Sequence, residues 1–439
     1  MPSPATRSFD PPAGPLTAVV DGDVTRALGI PYARAERFAP PEPVPAATEP
    51  YPATTPAPVA PQRSSPAVDQ LLPPMDLQVD EHCQRLSVTV PSDARPDERL
   101  PVMVWIHGGS YVIGGGDLPI HDPRDLVTEQ RVVVVTVTYR LGVLGFLGDG
   151  ETVPANLGLL DLVAALRWVH ENIAAFGGDP DAVTVFGQSA GGDATAHLMI
   201  SEGARGLFRR AIVQSAPLGL SRGRARMTRA VLRAVGTVGP DTPLDEVLDR
   251  QVRGERAGGV FGLAGAMPFG TQYGHAPLPA ERDTDRAWRA VAPEVDVLIG
   301  SGTDETGMYV PMIPGVRTLA RWRPARSLLR WLVVRPLSEV VYGRDVRRFA
   351  ARHRAAGGNA VAYRLLRGAT AAPTGAVHMS DVPMLLGGRE AWVGSRFVPE
   401  RDWPEVDRRG RALRAVWAEF ARTGRVTAAD DETIAFDRG

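Results

Sequence analysis

Gly187-Gln188-Ser189-Ala190-Gly191 sets a serine between two glycines. It lies at the seam between an apolar run, Ala182 to Phe186, and a helix-compatible run, Ala190 to Ile200. A strand–turn–helix of this kind holds a hydroxyl on a sharp bend. The glycines prevent clashes, and the helix N-terminus offers free N–H groups and a positive dipole. The chemistry that fits is nucleophilic attack on a carbonyl. His107-Gly108-Gly109-Ser110-Tyr111 follows a second apolar run, Val102 to Ile106. Glycines there let backbone N–H groups approach a developing oxyanion. From those residues alone, a Gly-rich loop with a structural histidine fits equally well.

A serine nucleophile needs a base and an orienting acid, and this type of turn orders them Ser, Asp or Glu, then His. Of eight histidines, His275, His353 and His378 lie well downstream of Ser189. His170 and His197 fall within helical patterns and are expected to pack or to face solvent. His353 sits in an Arg-rich run and is expected to be solvated. His378 follows the run Ala360 to Leu365 and a short loop, Thr374-Gly375-Ala376-Val377, where a base would hang over a sheet. Asp304-Glu305 comes just after the run Val295 to Ile299. Two adjacent carboxylates cannot both face one histidine, so the residues alone leave the acid open.

The elements that must position these groups are legible as short β-branched runs bounded by Gly, Pro or Asp: Leu86–Val90, Val102–Ile106, Val132–Val137, Ala182–Phe186, Ala211–Val213, Val295–Ile299 and Ala360–Leu365. Between them lie helical patterns. Leu159, Val163, Leu166, Val169, Ile173 and Phe176 make one face, stopped by Gly177-Gly178. Others begin at Ser189, cover Thr228–Val235 and run Gly410–Ala421. Strands alternating with helices predict an α/β fold with a mostly parallel sheet covered on both faces. The expected organisation is a loose tail over residues 1–14, then one α/β domain over 15–439. Insertions around 221–290 and 306–357 would form its cap or gorge. Arg321 to Arg335 mixes Arg with Trp322, Trp331, Leu and Val. It reads as a solvated cap helix in preference to a membrane-surface helix.

Composition narrows the field. Of 439 residues, 44% are hydrophobic and 23% charged, which is globular usage. The net charge of −1 gives no global field for nucleic acid. Every one of the 49 basic residues is arginine, which removes lysine Schiff-base mechanisms. Cys83 is the only cysteine, so no intrachain disulfide and no Cys-only metal site can form. Residues 1–14 do not read as a signal peptide, and the longest apolar runs fall far short of the roughly 20 residues that span a bilayer. The expectation is a cytoplasmic enzyme acting on a small molecule, with no nucleic-acid partner, no stable membrane association, and no metal or organic cofactor.

Several blocks together resemble the type-B carboxylesterases, the esterase/cholinesterase family of the α/β-hydrolase fold, in particular bacterial para-nitrobenzyl esterases. Gly29-Ile30-Pro31-Tyr32-Ala33 with Arg37-Phe38 is similar to that family's N-terminal signature. So are Pro101 to Gly109, Tyr139 to Leu147, Asn156 to Gly191, Phe208 to Ser215, Gly302 to Glu305 and Gly375 to His378. The resemblance implies Ser189 as nucleophile, Glu305 as acid and His378 as base, with oxyanion N–H groups from Gly109, Ser110 and Ala190. It implies hydrolysis of a carboxylic ester through an acyl-enzyme. The same fold also hosts acyltransferases, cyclising enzymes and non-catalytic binding relatives, and the last would show a degraded triad. The departures are specific. Gln188 stands where the family usually has Glu, and Thr306 where a glycine usually follows the acid. His82 replaces an acidic residue beside Cys83, whose usual disulfide partner is missing. Ser110 takes the third-glycine position of a GGGX-type loop, a type that accepts tertiary alcohols, so weak tert-butyl ester hydrolysis is expected.

Overall fold

The computed structural model describes residues 5–63, 72, 78–310, 323–369, 375–393, 395 and 397–439. Arg321, Trp322 and Thr374, which entered the sequence reading, lie outside them. All seven expected strands form, most of them longer than the apolar run that signalled them. They are β4 (Arg85–Pro91), β5 (Leu100–Ile106), β6 (Val133–Thr138), β7 (Gly178–Gln188), β8 (Arg210–Gln214), β9 (Asp296–Gly302) and β10 (Ala360–Leu365). Three earlier strands, β1 (Thr6–Phe9), β2 (Leu16–Asp21) and β3 (Val24–Pro31), and a last one, β11 (Ile434–Asp437), complete the main path.

The sheet runs β1-β2-β3-β4-β6-β5-β7-β8-β9-β10-β11, with Tyr51–Ala53 added beside β2. From β6 to β10 every neighbour is parallel. The four N-terminal strands and β11 are antiparallel additions. The expected loose tail over 1–14 is therefore corrected at residues 6–9. Thr6 to Phe9 pair with Val19 to Leu16, and Phe9 stacks on Phe176 at 4.6 Å. Burying that ring anchors an otherwise Pro-rich segment.

Helices cover both faces. On one lie α1 (Leu157–Asn172), α2 (Ala190–Leu198), α3 (Ala225–Val235) and α4 (Leu244–Gly259). On the other lies the long helix α6 (Trp403–Thr423), packed through Leu413, Trp417 and Phe420. Gly177 ends the α1 region at φ 83°, a left-handed position that favours glycine. Within the expected insertion 306–357, Arg323–Leu329, Arg330–Val334, Arg335–Ser338, Glu339–Gly343 and Arg344–Ala355 follow one another as a single helix, α5, with π-helical turns in the second and fourth segments. Among the described residues no helix is long and apolar enough to cross a membrane.

Candidate active site

In a parallel sheet the C-terminal ends of neighbouring strands emerge at one edge, and ligands bind there. The register brings the sequence-predicted groups to that edge. Ile106 pairs with Gly187, Gln188 with Gln214, Gln214 with Gly300, and Gly302 with Leu365. The loops leaving β5, β7, β8, β9 and β10 therefore start side by side.

Ser189 leaves β7 at φ 59° and ψ −124°, a conformation that costs a non-glycine residue free energy and persists only where packing enforces it. The flanking glycines explain how. A Cβ on Gly187 would come within 2.5 Å of the Gly191 carbonyl oxygen, and one on Gly191 within 2.0 Å of the Ile106 carbonyl oxygen. The Ser189 N–H donates to the Gln214 carbonyl at 2.9 Å, fixing the bend against β8.

The His107 loop packs directly on this turn. A Cβ at Gly108 would lie 2.7 Å from the Gln188 carbonyl oxygen and 3.2 Å from Ser189 Cβ. Gly109, Ser110 and Tyr111 follow at φ 109°, 54° and 61°. Three positive-φ residues in a row turn the chain sharply, and a Cβ on Gly109 would come within 2.0 Å of the Ile113 carbonyl oxygen. Gly109, Ser110 and Ala190 donate to no backbone carbonyl among the described residues. His107 itself is buried and stacks on Tyr139 at 4.5 Å. Burial pushes its pKa down to about 3, so it is a neutral packing group.

His378 Nε2 lies 2.8 Å from Ser189 Oγ, and His378 Nδ1 lies 2.5 Å from Glu305 Oε2. Glu305 is buried, and its other oxygen accepts from Ser215 Oγ at 2.6 Å and the Gly302 N–H at 2.5 Å. A carboxylate so held presents one oxygen to the imidazole and has no freedom to turn away. Asp304, the neighbouring carboxylate, faces the opposite way. It binds Arg330 Nε at 2.6 Å, with Arg335 Nε at 3.4 Å and Thr303 Oγ1 at 2.6 Å. Of the two adjacent carboxylates, Glu305 is therefore the one that faces His378. Gln188 is buried with its amide nitrogen 3.4 Å from His378 Nε2.

Four groups escaped sequence reading. Ser215, the partner of Glu305, ends the block Phe208 to Ser215, and that position was its only signal. Tyr342 and Tyr309 bring ring centroids to 5.4 and 6.0 Å from the His378 ring; they come from irregular cap sequence that carries no periodicity. Asp381, three residues after His378, is buried and accepts from Gln214 Nε2 at 2.6 Å. Desolvation pushes its pKa up to about 6. The expectation for His353 is corrected. It is buried rather than solvated, and its Nε2 lies 2.8 Å from the Val295 carbonyl, because α5 lays this Arg-rich turn against β9. His197 does pack, between Asp193 and Tyr273.

The carboxylesterase family model matches residues 17–321. A probable N-octanoylanthranilate hydrolase of Rhodococcus erythropolis is 36% identical over 95% of this chain and 93% of its own. The chain belongs to the carboxylesterase family. The para-nitrobenzyl esterase of Bacillus subtilis is 43% identical over 46% of this chain and 42% of its own. Among solved structures, a thermophilic pNB esterase superposes with a TM-score of 0.78 at 27% identity, covering 99% of this chain and 98% of that one. A carboxylesterase of Geobacillus stearothermophilus gives 0.72 at 28% identity, covering 96% and 92%. This chain is accordingly a serine hydrolase of carboxylic esters on the α/β-hydrolase fold.

Proposed function

We propose that Ser189, His378 and Glu305 carry out the hydrolysis. His378 takes the Ser189 proton as the oxygen attacks the ester carbonyl. Glu305 holds the imidazole with Nδ1 protonated and stabilises the imidazolium that forms. Gly109, Ser110 and Ala190 offer N–H groups to the tetrahedral oxyanion. His378 then protonates the leaving alcohol, and water repeats the attack on the acyl-enzyme. No step calls for a metal or organic cofactor. The observation that carries this reading is the unbroken chain Ser189 Oγ–His378–Glu305 at 2.8 and 2.5 Å.

The assignment extends to organisation and place. We take residues 15–439 as one domain, with 221–290 and 306–357 as cap insertions. We place the enzyme in the cytoplasm, which suits a chain whose one cysteine is buried. The near-full-length relative named for N-octanoylanthranilate, whose acyl group sits on an arylamine nitrogen, supports a medium-chain acyl group with an aromatic leaving group, arylamine included, as the substrate class.

The test is a panel of p-nitrophenyl esters of graded acyl length, with N-acylanthranilates beside them, run on the wild type and on Ser189→Ala. The expected outcome is ester turnover that Ser189→Ala lowers by roughly 10⁴-fold or more without loss of fold. Wild-type turnover in that variant would sink the mechanism.

A further inference from the structure

Helix α5 is apolar on two sides. Inward, Val334, Val341, Tyr342, Val346 and Phe349 are buried against the body of the protein. Outward, Leu328, Trp331, Leu332, Val333 and Val340 remain 60, 61, 66, 48 and 55% exposed. A helix that only covers a core needs one apolar stripe. The second stripe is unexplained by packing, and contiguous exposed apolar side chains mark a place of contact.

The charge beside the stripe selects the partner. Residues 323–355 contain nine arginines and two acidic residues, Glu339 and Asp345, in a chain whose net charge is −1. Arg330 and Arg335 are paired with Asp304, Arg347 with Glu339, Arg348 with Asp345, Arg352 with Asp285 and Arg354 with Asp437, so arginine still outnumbers the carboxylates here but by less than the count alone gives. Residues 222–235 add five arginines and no acid. Of these Arg222, Arg226, Arg229 and Arg233 are exposed, and Arg222 is near enough to Asp345 and Arg352 to act on both electrostatically. The Arg335 guanidinium lies over the Trp331 ring at 4.1 Å. Trp with arginines on long apolar stems is the composition of a lipid–water boundary, where the rings and stems enter the acyl edge and the cations reach phosphates. A second copy of the chain fits less well, because a two-fold contact would set these arginines against themselves.

We propose that the outer stripe of α5 docks reversibly on an anionic phospholipid surface. Leu328, Trp331, Leu332, Val333 and Val340 enter the headgroup–acyl boundary, and the flanking arginines meet the phosphates. The inference goes beyond the hydrolase reading and does not rest on it. The inner side of the same helix places Tyr342 on His378, so an apolar ester dissolved in the lipid would enter beside the reacting groups.

The experiment floats the full chain, carrying Ser189→Ala so that no turnover intervenes, with vesicles of phosphatidylcholine plus phosphatidylglycerol or of phosphatidylcholine alone. Co-flotation with the anionic vesicles is expected, about tenfold weaker on the neutral ones and falling with salt. Leu328→Ser/Leu332→Ser should lower anionic binding by about tenfold with an unchanged Tm, since both side chains are exposed. Val340→Ser alone should act in the same direction by a smaller factor. Failure of the parent to float with anionic vesicles, or equal flotation of parent and double variant, would overturn the proposal. So would a dimer in light scattering that the double variant turns into a monomer, because that assigns the stripe to a second copy.

Discussion

Asp304 and Glu305 are neighbours in the chain and belong to different regions of the molecule. Glu305 turns toward the strand ends, where Ser215, the Gly302 N–H and His378 close around it. Asp304 turns toward the cap and holds Arg330 and Arg335 of α5. Thr306, the residue after the acid, also ties to α5: its N–H donates to Ser338 Oγ at 3.0 Å and its hydroxyl to the Val334 carbonyl at 2.9 Å. One turn of chain thus serves two ends. The strand-end side fixes reacting atoms through buried backbone, and the cap side fixes a helix through ion pairs and hydroxyls. Precision at the strand ends follows from parallel register, which a single side chain cannot shift. The cap has no such scaffold and relies on its own contacts, which leaves it free to differ where the reacting groups cannot.

That division is easiest to break at the acid pair. Glu305→Gln should lower kcat by about 10³–10⁴-fold with KM and Tm nearly unchanged, because the amide keeps the shape and loses the charge that stabilises the imidazolium. If Asp304→Asn were the catalytically severe variant instead, the two carboxylates would have exchanged regions.

Asp381 sharpens the picture on the strand-end side. Its pKa is raised from the ordinary value to about 6 by burial, with the neighbouring Glu305 charge adding to the shift. A carboxyl raised in the folded state binds more protons there than when unfolded. Its contribution is therefore full below about pH 4 and is lost as pH rises through about 6. Asp381→Asn should raise stability at pH 8 by up to about 3 kcal/mol and leave it unchanged near pH 4. Thermal unfolding at the two pH values checks this; an equal gain at both would remove the titration from the explanation.

On the cap side the expected effect is smaller. Asp304→Asn removes the charge that holds two arginines whose side chains are 27% and 32% exposed. After allowance for solvent at those arginines, the cost is about 2 kcal/mol. It should appear as a lower Tm and a raised KM for bulky esters, with kcat on a small ester within a few-fold of the parent. A loss of kcat matching that of Glu305→Gln would show that the cap contact also sets the triad.

What was legible in the sequence follows the same division. The seven strands after residue 84 and the helix behind Ser189 were readable because buried parallel strands are short β-branched runs and their loops are marked by glycine. Ser189 and His378 could be singled out because they sit just past those strand ends, whereas the preference for Glu305 over Asp304 came from the family resemblance alone. The hairpin of β2 and β3 carried a signal in Asp21-Gly22, with Gly22 at φ 60°, which was not among the runs picked out as strands. Tyr309, Tyr342 and the buried His353 were missed for another reason. They depend on how the Arg-rich cap lies on the sheet, and an arginine-rich run looks solvated whether its histidine points in or out.

Gln188 belongs to the strand-end side and tests how far its electrostatics matter. Its amide nitrogen is 3.4 Å from His378 Nε2, at a position where the family usually carries a carboxylate. An anion there would favour the imidazolium and raise the histidine pKa. Catalysis needs His378 neutral before attack, so the acidic limb of kcat/KM moves with that pKa. Gln188→Glu should therefore shift the limb upward by about one pH unit and strengthen a preference for cationic esters. The opposing effect is burial: a carboxyl at this depth resists ionising, and a protonated acid would leave the limb where it was. Paired pH–rate profiles of the parent and Gln188→Glu decide between them. An unmoved limb would mean that the site holds this position neutral whichever residue fills it.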